Sequence, residues 1–513
     1  SEFSIAKVFT DHMVLQRGQE ILVWGTAAAG SSIDVRLGGQ RGSTTAGPAG
    51  NWQFALDPLP ASTTPVDLTV NDQTIHDVLV GDVWLCSGQS NMRWMLKQSQ
   101  DADAEIRQAG NVTNLRLLDL TAEIYPVGRA YDREALRRTM ADNYFAWSGW
   151  QHATPESATT FSAVAWYFGS RLRELNPDVP VGLIHNAIGG TPMESWIPES
   201  TLLADLKTQR LVTFPWYSEN HPDYPKWCGL RGRQNLAKYF ASPDGPVPHH
   251  PFQPGFLYEA GIAPLSRYPV SGILWYQGES NATQDGANSP PIDPAWNHRL
   301  FTSLIDSWRE TWSSRQLPFV FAQLPGLNRN WPLFREMQLE TAAVDPNVHM
   351  AVTIDVGHPT NVHPPNKRPV GHRMAELALA FAASPAATTM TPGEITFDQP
   401  VKSFDGKPIR GFQLAGDDKV FHSATATVSG KTVKVACDMV RNPIAVRFGW
   451  ENDPDLNLVG VNGEHPVSPF RSDRWETTER SDLEAEPQPV QRALFTGFES
   501  PRAGMITVAE FDG

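Results

Sequence analysis

Cysteine is scarce in this chain and widely scattered: Cys86, Cys228 and Cys437 are the only thiols in 513 residues. An odd number at such spacing builds neither a disulfide framework nor a C-x-x-C metal pair, so three buried or half-buried thiols are expected. Long apolar runs are missing too. No stretch approaches the roughly 18 apolar residues needed to cross a bilayer, and no membrane partner is expected. Positive charge is in deficit, with 42 Lys and Arg against 56 Asp and Glu, giving a formal net charge of −14. Proteins that bind nucleic acid concentrate Lys and Arg to neutralise phosphates, so no nucleic-acid partner is expected either. The chain starts at Ser1 rather than Met, so the lack of a leader sequence says nothing about compartment.

Tryptophan, by contrast, is plentiful at 17 residues. Core packing is the ordinary use of so many indoles, and stacking on sugar rings is the functional one. The length exceeds what one hydrophobic core usually supports, which predicts two or three domains. Residues 1–80 carry short alternating runs (Ile21–Trp24, Ile33–Leu37, Trp52–Leu56, Val66–Val70) separated by Gly, Pro and Ser, the pattern of a small β-sandwich. From residue 81 to about 390, compact apolar runs alternate with helical periodicity, as in a parallel sheet flanked by helices. Its expected strands are Val83–Cys86, Val181–His185, Gly272–Tyr276, Phe319–Ala322 and Ala351–Ile354, with helices over Phe161–Leu175, Ala295–Trp312 and Arg373–Ala383. Residues 198–254, rich in Pro, Trp and Tyr, read as an insertion, and residues 391–513 as a C-terminal β domain with a polar tail beyond about 475.

Three strand ends carry chemistry. Cys86-Ser87-Gly88-Gln89-Ser90-Asn91-Met92 follows an apolar run and precedes a helix start. A serine there projects from the carboxyl edge of an open sheet, beside helix N–H groups suited to an oxyanion, although Ser90 as a simple helix cap fits equally well. The α/β-hydrolase elbow G-x-S-x-G is broken by Met92. Asn186-Ala187-Ile188-Gly189-Gly190-Thr191 allows close backbone approach, as any tight turn would. In Gln277-Gly278-Glu279, the Gln277 amide can donate a hydrogen bond and Glu279 can support or act as an acid; a network bracing the strand end is the bland reading of both. His363, in a loop after a late strand on the same predicted edge as Ser90, is the candidate base.

SGQSNM, NAIGGTPMESW, LWYQGESN and the His363 loop, in that order, resemble the sialate O-acetylesterase-type branch of the SGNH hydrolases, as do Phe9–Arg17, Phe448-Gly449-Trp450 and Ser468–Arg471. The resemblance implies a flavodoxin-like α/β catalytic domain between β domains, and a serine esterase that releases acetate from acetylated carbohydrates. It implies Ser90 as nucleophile and His363 as base, with an oxyanion hole built from the Ser90 N–H, the Gly190 N–H (or Gly189) and the Gln277 side chain. Neither a cofactor nor a metal is required, and a periplasmic or secreted location is expected. Relatives often carry an aspartate three residues before the histidine; here that residue is Thr360, followed by the uncharged Asn361. Asp355, a backbone carbonyl or a Ser-His dyad are the remaining arrangements. Trp216, Trp227 and Tyr258 are candidates for stacking on the glycan, whether a sialic acid or a plant polysaccharide such as xylan or xyloglucan.

Two other functions are compatible with the sequence. A glycosidase could pair Glu279 with Glu194 or Asp355, since that chemistry needs two carboxylates. A non-catalytic carbohydrate-binding protein could use the flanking β domains and the tryptophans. A metal at His249-His250 is discounted for lack of a third ligand.

Overall fold

The computed structural model describes residues 2–282 and 293–476. The tail expected beyond about 475 lies almost wholly outside the described residues. The molecule is a mixed α/β protein with several sheets.

At its centre are seven strands: β1 (Gln73–Gly88), β2 (Leu115–Ala122), β3 (Phe145–His152), β4 (Val181–His185), β5 (Gly272–Tyr276), β6 (Phe319–Ala322) and β7 (Val348–Ala351). They lie in the order β3-β2-β4-β1-β5-β6-β7. Every neighbouring pair is parallel except β3 with β2. All residues of β4 and β5 are buried, which explains their unbroken apolar composition.

Alternate strand residues point to opposite faces. Trp84, Cys86, Leu183, Leu274 and Val320 share one apolar cluster with helices α1 (Ala163–Leu175) and α4 (Arg368–Ala378). Leu85, Ile184, Ile273, Trp275 and Phe321 share another with α2 (Pro294–Thr311) and α3 (Pro332–Val344). In α2, Leu300, Leu304 and Trp308 recur every four residues and all are buried. The sheet is thus covered on both sides, and its polar loops are left at the strand ends.

Several expectations shift. β1 runs unbroken through residue 80; its first half pairs with Ser62–Val70 and with Val14–Gln16, so one strand serves both the N-terminal sheet and the central one. β7 ends at Ala351, where its pairing with β6 stops, rather than starting there. α4 begins five residues before the expected start, with Pro369 in its first turn, where a missing N–H costs nothing. β2, β3 and α3 were not foreseen. The 198–254 segment contains short helices, including Glu199–Ala204 and Lys226–Asn235. After residue 391, strands such as Thr425–Ser429, Thr432–Ala436 and Ala445–Phe448 surround an apolar cluster of their own. The Cys86 and Cys228 thiols are buried and Cys437 half-buried. Among the described residues no helix is long and apolar enough to cross a membrane.

Candidate active site

β1 ends in a turn that only glycine permits. Gly88 has φ of 137°, and a Cβ there would sit 2.1 Å from the Tyr276 carbonyl oxygen. The chain passes close to β5, with Gln89 N–H donating to Tyr276 O at 3.0 Å, and then enters the short helix Ser90–Arg93. Gln89, not Ser90, occupies the cap position, and no side chain caps this helix. Ser90 Oγ is buried and makes no hydrogen bond among the described residues. A serine serving as a cap would have spent its hydroxyl on a backbone N–H.

His363 comes from the loop after β7 to the end of the Ser90 helix. Asn361 Oδ1 accepts the His363 backbone N–H at 2.9 Å and so shapes the turn. The imidazole stacks on Trp94, with ring centroids 4.8 Å apart at 24°. Trp94 ends the Ser90 helix, donating its N–H to Ser90 O at 2.8 Å. One residue after Ser90, Asn91 Nδ2 donates to Val362 O at 2.9 Å, tying the serine turn to the residue before His363. His363 Nε2 is buried without a hydrogen-bond partner among the described residues. Burial, with Lys367 and Arg329 adding positive charge nearby, depresses the His363 pKa to about 3. At neutral pH the ring is the free base.

Beneath the loop lies a buried polar network in which Glu279, read from the sequence as a possible support, is joined by Asn91 and Lys367, which the sequence reading did not single out. Asn91 Nδ2 also donates to Glu279 Oε1 at 2.6 Å, and Lys367 Nζ donates to Asn91 Oδ1. Burial raises Glu279 to about 6, and burial lowers Lys367 to about 7 against the opposing pull of Glu279. A lysine in a short loop ordinarily points into solvent; only the fold shows this one buried.

The Gly190 turn closes the site. Gly190 has φ of 73°, and its carbonyl accepts a hydrogen bond from Ser280 Oγ at 3.0 Å. Gln89 Oε1 in turn accepts the Gly278 and Ser280 N–H groups at 3.2 and 3.3 Å. The backbone N–H groups of Ser90, Gly189 and Gly190 make no hydrogen bond among the described residues. Gln277 departs from expectation. Its Nε2 donates to Thr191 O at 3.1 Å and to Asn281 Oδ1 at 2.7 Å, so both amide hydrogens are used. Flipping the amide is not open to it, because Asn281 Oδ1 also accepts the Met193 backbone N–H at 2.9 Å and must therefore be the acceptor. Gln277 braces the Gly190-Thr191 turn instead of offering a free donor.

The family model for carbohydrate esterases described as sialic acid-specific acetylesterase matches residues 80–211 and 253–380. The chain belongs to this family. The gap between the matched stretches falls within the insertion read from the sequence. A solved carbohydrate acetylesterase from Xanthomonas citri is similar over 92% of this chain and 100% of that one, with 30% identity and a TM-score of 0.72. Curated sialate O-acetylesterases are similar as well. The rat protein is 28% identical over 435 residues, covering 74% of this chain and 73% of that one. The human protein is 27% identical over 424 residues, covering 74% and 71%.

Other candidate residues of this esterase lie elsewhere or act differently. Asp355 is held by Arg373 through two 2.6 Å contacts, so its carboxylate is committed away from His363. Among the described residues no carboxylate hydrogen-bonds the His363 ring. Asn361 supports the loop backbone rather than the ring. Trp216 is packed against Tyr217, Tyr224 and His250, and Trp227 is buried with its indole N–H on Ser280 O at 3.3 Å. Both are core residues and present no face to a sugar. Tyr258, half-buried, shares a hydrogen bond with Thr311 on α2. His250 is spent on Asn235 and the Phe252 N–H, and His249 Nδ1 lies 3.0 Å from Gln253 Oε1. Arg93, at the end of the helix that Ser90 begins, lines an open groove with Thr121, Ile124 and Tyr125.

Proposed function

We propose that this carbohydrate esterase removes O-acetyl groups from sugars with Ser90 as nucleophile and His363 as general base. The observation that carries the reading is a coincidence of two idle atoms. Ser90 Oγ and His363 Nε2 are buried polar atoms without partners, on segments joined by the Asn91–Val362 hydrogen bond. Buried polar groups are normally satisfied, and exceptions concentrate where chemistry is done.

In this mechanism His363 takes the Ser90 proton and Ser90 Oγ attacks the acetyl carbonyl carbon. The oxyanion is received by the Ser90 and Gly190 N–H groups, at the positive end of the Ser90 helix. The sugar oxygen leaves with the proton from His363. Water, activated by the same imidazole, then releases acetate and restores the serine. No carboxylate is needed on the ring: stacking on Trp94 fixes its plane, and the site works as a Ser-His dyad. The groove that begins at Arg93 is the approach for the glycan, in the periplasm or outside the cell.

We further read the chain as an SGNH-type three-layer domain over residues 81–390, between β domains at 1–80 and from 391 onward. The glycosidase alternative loses its support, because the chain belongs to an esterase family and the Asp355 carboxylate is held through both oxygens by Arg373.

The test is acetate release from acetylated sialic acid, xylan and xyloglucan by the wild type, Ser90→Ala and His363→Ala. Turnover that falls by several orders of magnitude in both variants supports the assignment, and the best substrate names the glycan. Full activity in Ser90→Ala overturns it.

A further inference from the structure

Where the N-terminal segment meets the central sheet, two ring nitrogens and a carboxylate oxygen converge at the spacing of metal ligands. His12 Nδ1 lies 2.8 Å from Asp77 Oδ2, His152 Nε2 lies 2.9 Å from the same oxygen, and the two ring nitrogens are 3.1 Å apart. Each imidazole nitrogen has one in-plane position, filled by either a proton or a lone pair. If both donate to Asp77, the two N–H groups converge on one carboxylate oxygen, which Arg116 also reaches. If one is unprotonated, its lone pair faces the carboxylate or the other ring. The three atoms converge to within 3.1 Å of one another whichever nitrogens carry the protons.

A cation fits the same three donor atoms. Ligand atoms about 2.0–2.1 Å from a tetrahedral zinc ion lie roughly 3.3 Å from one another. The triangle of 2.8, 2.9 and 3.1 Å is that arrangement slightly contracted. Two imidazoles and one carboxylate are also the donor set that a borderline divalent ion prefers. All three residues are partly exposed, which leaves room for entry and for a water as fourth ligand.

The surrounding backbone holds the ligands in place. His12 and Asp77 both adopt left-handed conformations, with φ of 71° and 57°, uncommon for residues with side chains. The His12 N–H donates to His76 O at 2.9 Å, and Asp11 Oδ1 accepts the His76 N–H at 2.7 Å, fixing the N-terminal segment to β1. His152 ends β3, opposite Arg116 of β2. One opposing feature is present: the buried Arg116 guanidinium donates to Asp77 Oδ2 at 2.8 Å, and its charge weakens attraction for a dication.

We propose that His12, Asp77 and His152 form a structural binding site for a divalent transition-metal ion such as zinc, clasping the N-terminal segment to the edge of the central sheet. The site is separate from the esterase centre. Arg116 is in register with Gly182, and Gly182 with Val83, whereas Ser90 follows Gly88, five residues further along the central strand β1. Sequence spacing gave no hint of it, since 65 and 140 residues separate His12 from its two partners.

The test is zinc chloride titration of the full chain, stripped with chelator, by calorimetry, with bound metal counted by elemental analysis. One equivalent per chain is expected, with a dissociation constant on the order of micromolar given the nearby Arg116. Affinity should fall at least tenfold in His12→Gln and in His152→Gln but stay unchanged in His249→Ala. Cobalt(II) added to the wild type should give the visible absorption of a four-coordinate nitrogen and oxygen site, a readout that needs no variant. Ester turnover should be the same with and without zinc. Absence of saturable binding by the wild type, or one equivalent that survives in both glutamine variants, overturns the proposal.

Discussion

Asn91 holds the residue before His363: its Nδ2 donates to the Val362 carbonyl at 2.9 Å while also donating to Glu279 at 2.6 Å. Two catalytic segments far apart in sequence are thereby joined by a single side chain, and the precision of the proposed dyad depends on it.

Asn91→Ala removes that joint and leaves Glu279 and Lys367 buried without their shared partner. The expected outcome is a fall in kcat of about 10²-fold, the usual consequence of misplacing a reacting group by about 1 Å. Stability should drop by about 3 kcal/mol, because buried charged groups lose their hydrogen bonds. Kinetics and denaturant unfolding of the same preparation check both. Unchanged kcat would separate this network from catalysis.

The pH profile follows from the depressed pKa of His363. Burial first, and then Lys367 and Arg329, disfavour the imidazolium, so the ring stays unprotonated far below the ordinary histidine value of about 6.5. The acid limb of kcat/KM should therefore lie well below pH 6. In Lys367→Met a nearby cation is gone, His363 protonates more readily, and the limb should move to higher pH. Linkage has the same sign. The unfolded imidazole binds a proton below pH 6.5 and the folded one only near pH 3, so this group's contribution to stability is present above 6.5 and is lost as pH falls between those values. A limb at 6.5 in the wild type, unmoved by Lys367→Met, contradicts the account.

Gln277 separates bracing from direct oxyanion stabilisation. Removing a direct donor typically costs about 10²–10³-fold in kcat. With both hydrogens given to Thr191 and Asn281, Gln277 positions the Gly190 turn, and Gln277→Ala should cost about tenfold, accompanied by a lowered thermal midpoint. A loss of about 10³-fold at unchanged stability would return Gln277 to the oxyanion hole.

The strands that bear the site were legible because β4 and β5 are buried on both faces, and burial writes itself as an uninterrupted apolar run. β2 was hidden by Arg116 and Asp119, which interrupt its pattern and find partners only in the fold, Asp77 and His185. Ser90, Gly190 and His363, the residues of the proposed site, each follow a strand within a recognisable segment, which is what drew attention to them. Lys367 was not: nothing local distinguishes a buried lysine from a solvated one. Trp216 and Trp227 failed for the converse reason, since an indole in a Pro-rich segment looks the same whether it stacks on a sugar or fills a core.

The most direct test of the central claim is to label the enzyme with a serine-directed phosphonate ester and locate the adduct by peptide mass spectrometry. The account predicts one adduct per chain, on Ser90, with loss of acetate release in proportion to labelling and much slower labelling in His363→Ala. An adduct on another residue, or full acetate release from chains labelled at Ser90, would contradict it.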